Sequence, residues 1–254
     1  MLMKIQYCSD LHLEFPENKK YLLENPIKPE GDILLLAGDI VPFIVMDEHN
    51  DFWDYVSSNF SYTYWVPGNH EYYYSEIGER SGKFVEKIRD NVLLVNNTSF
   101  VHNSLRLIFT TLWTDLYGVN QLAIQQQLSD FRVIKNKGRV FAPDDYIQIH
   151  HSCLHYLKQE LFENTCEQTI VVTHHVPTML NYPAKYKGSL LNAAFVVELY
   201  DLIVDSTIDF WIFGHHHQNS CDFTIGKTRL LSSQLGYVEL NEHLGFSANK
   251  CISI

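Results

Sequence analysis

The sequence predicts an α/β fold of one domain, residues 1–254, with at least two layers of strands. Three observations lead there. Short runs of four to six residues rich in Ile, Val, Leu and aromatics recur along the chain, as in strands buried on both faces. Stretches with apolar residues at helical spacing lie between them. No linker, internal repeat or low-complexity tract interrupts the pattern. With 46% apolar and 19% charged residues there is ample material for a core, which argues against disorder as the dominant state.

Taken in order, "KIQYC" (4–8), "DILLLA" (32–37), "YTYWVP" (62–67), "TIVV" (169–172) and "DFWIF" (209–213) read as the principal strands. Segments 98–102, 104–110, 220–225 and 229–233 read as further strands. A helix is predicted over 75–90, with Ile77, Phe84 and Ile88 on one face, and a weaker one over 120–134. Another opens at Pro143 and Asp144, a favoured start pair, and carries Ile147, Leu154 and Leu161 at multiples of seven. Asn192 is placed as the N-cap of a last helix, with Phe195, Leu199 and Leu202 on its stripe.

Charge and composition exclude several function classes. A formal charge of −11, with no run of lysines or arginines, argues against a nucleic-acid partner. No stretch of about 18 uninterrupted apolar residues exists, so no membrane span is predicted. The opening "MLMKIQYCSD" enters a strand-like segment directly and lacks a signal-peptide pattern. Five cysteines without CxxC spacing do not make a disulfide framework, and a reducing cytoplasm is the expected location.

Each principal strand ends in polar residues able to bind a metal. These are Asp10 and His12, then Gly38 and Asp39, then Gly68, Asn69, His70 and Glu71, then His174 and His175, and last Gly214 with His215, His216 and His217. Ligands gather outside the carboxyl ends of strands in open α/β sheets. Each motif alone also fits an ordinary role: a surface turn, a helix cap, a Pro-Gly turn, a hydrogen-bonded pair of edge histidines. The row of three imidazoles is the hardest to explain that way. Residues two apart share a face of an extended segment, so His215 and His217 can converge while His216 points elsewhere.

The order Asp-x-His, Gly-Asp, Gly-Asn-His-Glu, His, Gly-His-x-His, spread over residues 10–217, resembles the calcineurin-like metallophosphoesterase superfamily. Within it, "TLWTDLYG" (111–118), "LSDFRVI" (128–134), "VVTHHVP" (171–177) and "LGYVEL" (235–240) are similar to a bacterial branch of small predicted phosphohydrolases. The resemblance implies two mixed β-sheets flanked by helices in four layers, αββα, and a site for two metal ions. It implies Asp10, His12 and His217 on one ion, Asn69, His174 and His215 on the other, and Asp39 bridging both. His70 would be catalytic, beside the leaving-group oxygen as general acid or electrostatic stabiliser.

An all-nitrogen and oxygen ligand set suits divalent or trivalent Mn, Fe, Zn or Ni. Two ions against two aspartates leave excess positive charge, which draws phosphate even into an acidic protein. Ions about 3.5–4 Å apart would activate a shared water for in-line attack on phosphorus.

Where the sequence departs from the superfamily's protein phosphatases, Pro42 replaces a carboxylate that orients the catalytic histidine, and Phe43 replaces a phosphate-gripping arginine. This argues against protein-phosphatase activity and leaves open what orients His70. The expected function is hydrolysis of a small-molecule phosphomonoester or phosphodiester, inclined to diesters such as nucleotides. Loops 40–50, 114–120 and 176–190 would wall the site. His175, His216 and Arg132 are candidate substrate contacts, with packing, or an Asp130–Arg132 ion pair, as the other reading. His151 and His155 are expected on an exposed helix face. The alternatives are a nuclease, which needs a basic groove, and a non-catalytic metal-binding scaffold, which would show a gap among the ligands.

Overall fold

The computed structural model describes residues 3–163 and 166–254. Its strands are β1 (Lys4–Cys8), β2 (Ile33–Ala37), β3 (Tyr62–Val66), β4 (Phe84–Arg89), β5 (Val92–Asn96), β6 (Thr98–His102), β7 (Leu105–Thr110), β8 (Lys135–Asn136), β9 (Arg139–Val140), β10 (Gln168–Thr173), β11 (Phe210–Ile212), β12 (Phe223–Ile225), β13 (Thr228–Leu231) and β14 (Cys251–Ser253). The helices are α1 (Pro16–Glu24), α2 (Asn50–Asn59), α3 (Gln121–Gln127), α4 (Asp130–Val133), α5 (Pro143–Phe162) and α6 (Tyr200–Asp205).

Two six-stranded sheets are ordered β14-β1-β2-β3-β5-β4 and β12-β13-β11-β10-β7-β6, with β8 and β9 a separate hairpin. In each large sheet four central strands run parallel and both edge strands antiparallel. Alternate residues of these strands serve two cores. Ile5, Tyr7, Leu35 and Val66 of the first sheet pack between the sheets against Leu107, Phe109, Val172 and Ile212 of the second. Their neighbours Leu34, Leu36 and Trp65 face outward onto Trp53 and Val56 of α2. On the far side Val171, Trp211 and Leu230 face Leu157 of α5 and Ile203 of α6. Strands covered on both faces need apolar residues at nearly every position, which is why they read as unbroken runs. The layers are αββα, as expected. Among the described residues no helix is long and apolar enough to cross a membrane.

Two predicted helices are corrected. Residues 75–90 hold a short 3-10 turn (Ile77–Arg80) and the edge strand β4, paired antiparallel with β5. Phe84 and Ile88, four apart, share a face with Glu86 between them, and Glu86 accepts from Arg80 Nε and Nη2 (2.7 and 3.0 Å). A charged residue on the inward stripe hid the strand alternation. Asn192 caps nothing. It lies in a 3-10 turn (Leu190–Ala194) and its side-chain amide donates to the Tyr186 carbonyl (2.8 Å). The β-branched Val196 bridges Val176 in extended form, so helix resumes only at α6. The weaker prediction over 120–134 is two short helices, the first capped by the Asn120 side chain accepting from Ala123 N. The helix at Pro143 is present, its first turn held by Asp145 accepting from Ala142 N (2.9 Å). His151 and His155 are exposed on it.

Candidate metal centre and cleft

The carboxyl ends of β1, β2, β3, β10 and β11 meet at the seam between the sheets. After β1, β2 and β11 the chain leaves the strand in a tight reversal. Asp10, His12, Asp39, His215 and His217 all have positive φ (56°, 47°, 54°, 82° and 50°), a region that costs L-residues roughly 1–2 kcal/mol each. Three glycines make the turns possible by lacking a side chain. A Cβ on Gly214 would lie 2.6 Å from Asp10 Oδ2, and one on Gly38 or Gly68 would run into the His174 ring.

The result is three linked groups of ligand atoms among the described residues: His12, Glu14 and His70 form one at the cleft edge, and the other two share Asp39. Asp10, His12, Asp39 and His217 converge as one group that could hold a metal ion, and Asp39, His174 and His215 as another. His12 Nε2 is 3.1 Å from His217 Nε2, and His217 Nε2 is 3.3 Å from Asp10 Oδ1. His174 Nε2 lies 3.0 Å from His215 Nδ1, 3.2 Å from Asn69 Oδ1 and 3.3 Å from Asp39 Oδ2. All seven side chains named from the sequence therefore meet at one place.

The outer atoms of these rings show what the inner ones are for. His12 Nδ1 faces Glu14 Oε1 (3.2 Å), His174 Nδ1 faces the Ala37 carbonyl (3.0 Å), and His217 Nδ1 faces Glu242 Oε2 (2.7 Å). An outer N–H donating to each acceptor leaves a lone pair on each inner Nε2. Asn69 is fixed likewise: its amide nitrogen donates to Asp130 Oδ1 (2.9 Å), which turns its oxygen inward. Asp39 Oδ1 accepts from His70 N (2.9 Å), whereas its buried Oδ2, between the groups, has no donor. Converging lone pairs and an orphaned carboxylate oxygen in a buried site fit divalent cations.

The field has the same sign. Burial opposes charge on His174 and His217, but the surrounding carboxylates outweigh it and push them up to about 9 and about 10. Burial also works against the charged form of Asp39, yet His174 and His70 hold its pKa well below the usual range.

Glu71, fully buried behind the site, clips its loops together. One oxygen accepts from Asp39 N (3.0 Å) and Gly68 N (2.7 Å), the other from Ile40 N (2.7 Å) and Trp65 Nε1 (2.9 Å). Burial and then Asp39 push its pKa up to about 8, while four converging N–H donors favour the anion. The sequence shows Glu71 only as the last letter of Gly-Asn-His-Glu. Glu14 and Glu242 carried no signal as partners of site residues, because the sequence does not fix the path of the segments that bring them; Asp130, expected with Arg132 to be able to reach the site from a loop, does reach it, from the start of α4.

A cleft of about 580 Å³ opens over the centre. His70 and His216 line it, together with Tyr73, Tyr186, Phe195 and Tyr237. Loops 40–50 and 176–190 contribute Pro42, Tyr182, Tyr186 and Ser189; loop 114–120 does not, and 127–130 takes its place. Two candidate substrate contacts are corrected. His175 is fully buried between the Thr111 carbonyl (3.1 Å) and Tyr146 Oη (3.2 Å), and burial pushes its pKa down to about 3. Arg132 is exposed outside the cleft, donating to the Gln126 carbonyl and Ser129 Oγ (both 3.0 Å). Nor does it pair with Asp130, which serves Asn69 and Tyr73. His216 turns away from its neighbours, its Nδ1 accepting from Gln218 N (3.1 Å) and facing Gln234 Nε2 (3.2 Å).

The family model of calcineurin-like phosphoesterases matches residues 3–219, and the chain belongs to that family. It is accordingly a metal-dependent phosphoester hydrolase. An uncharacterized protein, L509, of Acanthamoeba polyphaga mimivirus is 30% identical over 260 residues, covering 92% of this chain and 91% of its own. Among solved structures, the phosphopantetheinyl hydrolase of Mycobacterium tuberculosis superposes with a TM-score of 0.70 at 16% identity, over 99% of this chain and 95% of that one. At that identity the likeness concerns the fold.

Proposed function

We propose that the chain hydrolyses a small phosphodiester at a two-metal centre. Asp10, His12 and His217 would hold one ion, Asn69, His174 and His215 the other, and Asp39 would serve both. When bound, Mn, Fe, Zn or Ni ions in such a pair activate water and stabilise charge on phosphoryl oxygens. The chain's own residues do the rest. Asp130 and Glu242 fix the orientation of Asn69 and His217. His70 is anchored through its backbone N–H to Asp39 and presents its ring to the cleft, where it donates a proton to the leaving oxygen.

The observation that favours a diester is the cleft lining. It holds Glu14, Asp130 and Glu242 and seven tyrosines and phenylalanines, and no lysine or arginine. Beyond the metals, a monoester dianion would find only the His70 ring in the lining and Lys185 over the Tyr186 ring beside it, whereas a monoanionic diester with an apolar or aromatic substituent matches the walls. The same lining, with a formal charge of −11, disfavours a nuclease. The test is turnover of bis(4-nitrophenyl) phosphate against 4-nitrophenyl phosphate after reconstitution with each metal. We expect kcat/KM to favour the diester at least tenfold, about 1.4 kcal/mol in transition-state binding. A preference for the monoester overturns the proposal.

A further inference from the structure

His70 is held on three sides. Its ring stacks on Tyr73 (centroids 4.1 Å apart, 25° between planes), its backbone N–H is bound to Asp39, and its Nε2 lies 3.4 Å from Tyr237 Oη in the cleft. The fourth side is Nδ1. It is buried without a hydrogen-bond partner, and Glu14 Oε1 stands 3.5 Å away. Glu14 has a matching deficit. Its Oε1 serves His12 Nδ1 at 3.2 Å, while Oε2 is buried with no donor. Two adjacent groups, a donor and an acceptor, are thus each unsatisfied beside the other, and a small rotation of the carboxylate closes the bond. Pro42, the cleft residue that follows the Asp39 loop, offers no carboxylate for the purpose. Among the described residues, no other carboxylate lies within ion-pair distance of a His70 ring nitrogen.

We infer that Glu14 is the positioning residue of His70: it accepts Nδ1–H with the oxygen left over from His12 and so turns Nε2 toward the leaving group. The inference rests on the proton-donor role given to His70 above. As the P–O bond breaks, its electron pair stays on the leaving oxygen, which takes the proton from Nε2. The ring then keeps only Nδ1–H, the tautomer that Glu14 stabilises. The segment Asp10-Leu11-His12-Leu13-Glu14 suits the task, since Leu11 and Leu13 are buried in the core while the three polar residues face the site.

The test compares Glu14→Leu with the wild-type enzyme in two ways. In histidine-15N-labelled protein, metal-free and Zn-loaded, at a pH where the ring is neutral, long-range 1H–15N spectra report the His70 tautomer. The resonance is assigned by its absence in His70→Ala. We expect Nδ1–H in the wild type and a mixture in Glu14→Leu. For turnover, diphenyl phosphate has a poor leaving group and bis(4-nitrophenyl) phosphate a good one. Glu14→Leu should slow the first about tenfold more than the second, within the range general-acid catalysis spans. Glu14→Gln, which keeps an acceptor oxygen and the shape, should fall between. An unchanged tautomer and an unchanged substrate ratio overturn the inference. So does loss of metal with an unchanged tautomer in the metal-free protein, which would assign Glu14 to His12 alone. Should His70→Ala keep full activity on diphenyl phosphate, the role of His70 itself fails, whatever Glu14 does.

Discussion

Above about pH 8, where the Glu71 carboxyl is ionised, replacing it by Gln removes one charge and no volume, yet it should be among the most damaging changes in the molecule. Both carboxylate oxygens accept two N–H bonds, from Asp39 N and Gly68 N on one side and from Ile40 N and Trp65 Nε1 on the other. Whichever way the amide is turned, its NH2 faces two buried donors. Two charge-assisted bonds disappear, at about 1.5–3 kcal/mol each, so the loss is about 3–6 kcal/mol. That is a large share of the roughly 5–15 kcal/mol that holds a typical domain together. Urea unfolding of the metal-free variant and wild type, followed by tryptophan fluorescence, measures it. Because the clipped loops carry Asp39 and the glycine before Asn69, metal affinity should fall as well. A stability loss under about 1 kcal/mol would refute the reasoning, since it would mean that Glu71 is already protonated or that its donors find other partners.

Other outcomes follow from the same geometry. Asp39→Asn should strip metal, read by elemental analysis, because the one residue common to both ligand groups loses its charge. Gly214→Ala puts a methyl 2.6 Å from Asp10 Oδ2, so it should weaken one metal site far more than the other in a metal titration. His216→Ala should leave metal content unchanged and alter KM a few-fold in steady-state kinetics, because its ring lines the cleft but turns away from the ligand groups. His175 gives a pH signature. Its folded pKa is lowered to about 3, so above about 6.5 the ring is neutral in both states. As pH falls below that, the unfolded chain takes up a proton that the buried ring refuses, and stability drains by about 1.4 kcal/mol per pH unit. The stability gap between wild type and His175→Gln should therefore shrink by roughly 2 kcal/mol between pH 6.5 and pH 5 in urea titrations; a constant gap would refute it.

The parallel strands were legible because burial on both faces forces apolar runs; the polar residues after each run marked the seam, and the resemblance singled out seven of them as converging. The spacing in His215-His216-His217 was enough to separate the inward pair from the outward ring. What the sequence concealed lies one step further out. Edge strand β4 carries Glu86 on its inward stripe and so lacks a strand signature. Val196 and Val197 pair with Val176 across a loop, which no local helical stripe reveals. Glu14, Glu71 and Glu242 are ordinary acidic residues in sequence, and only the assembled seam brings them to imidazole or backbone N–H. Arg132 illustrates the opposite error: a residue chemically suited to phosphate, carried out of reach by the short turn of α4.

Neither half of the chain owns either of the two ligand groups that share Asp39. Asp10, His12, Asp39 and Asn69 belong to loops of the first sheet, and His174, His215 and His217 to loops of the second. During synthesis the first four emerge with a gap of 105 residues, spanning β4 to β10, before His174 appears. Each proposed ion needs at least one histidine from the later group. A nascent chain therefore completes neither proposed two-metal half-site until the ribosome has passed residue 215, and the pair only after residue 217, when both sheets can close on each other. Metal capture becomes a terminal event of assembly that rewards only a finished sandwich, and a truncated or misregistered product is left without it.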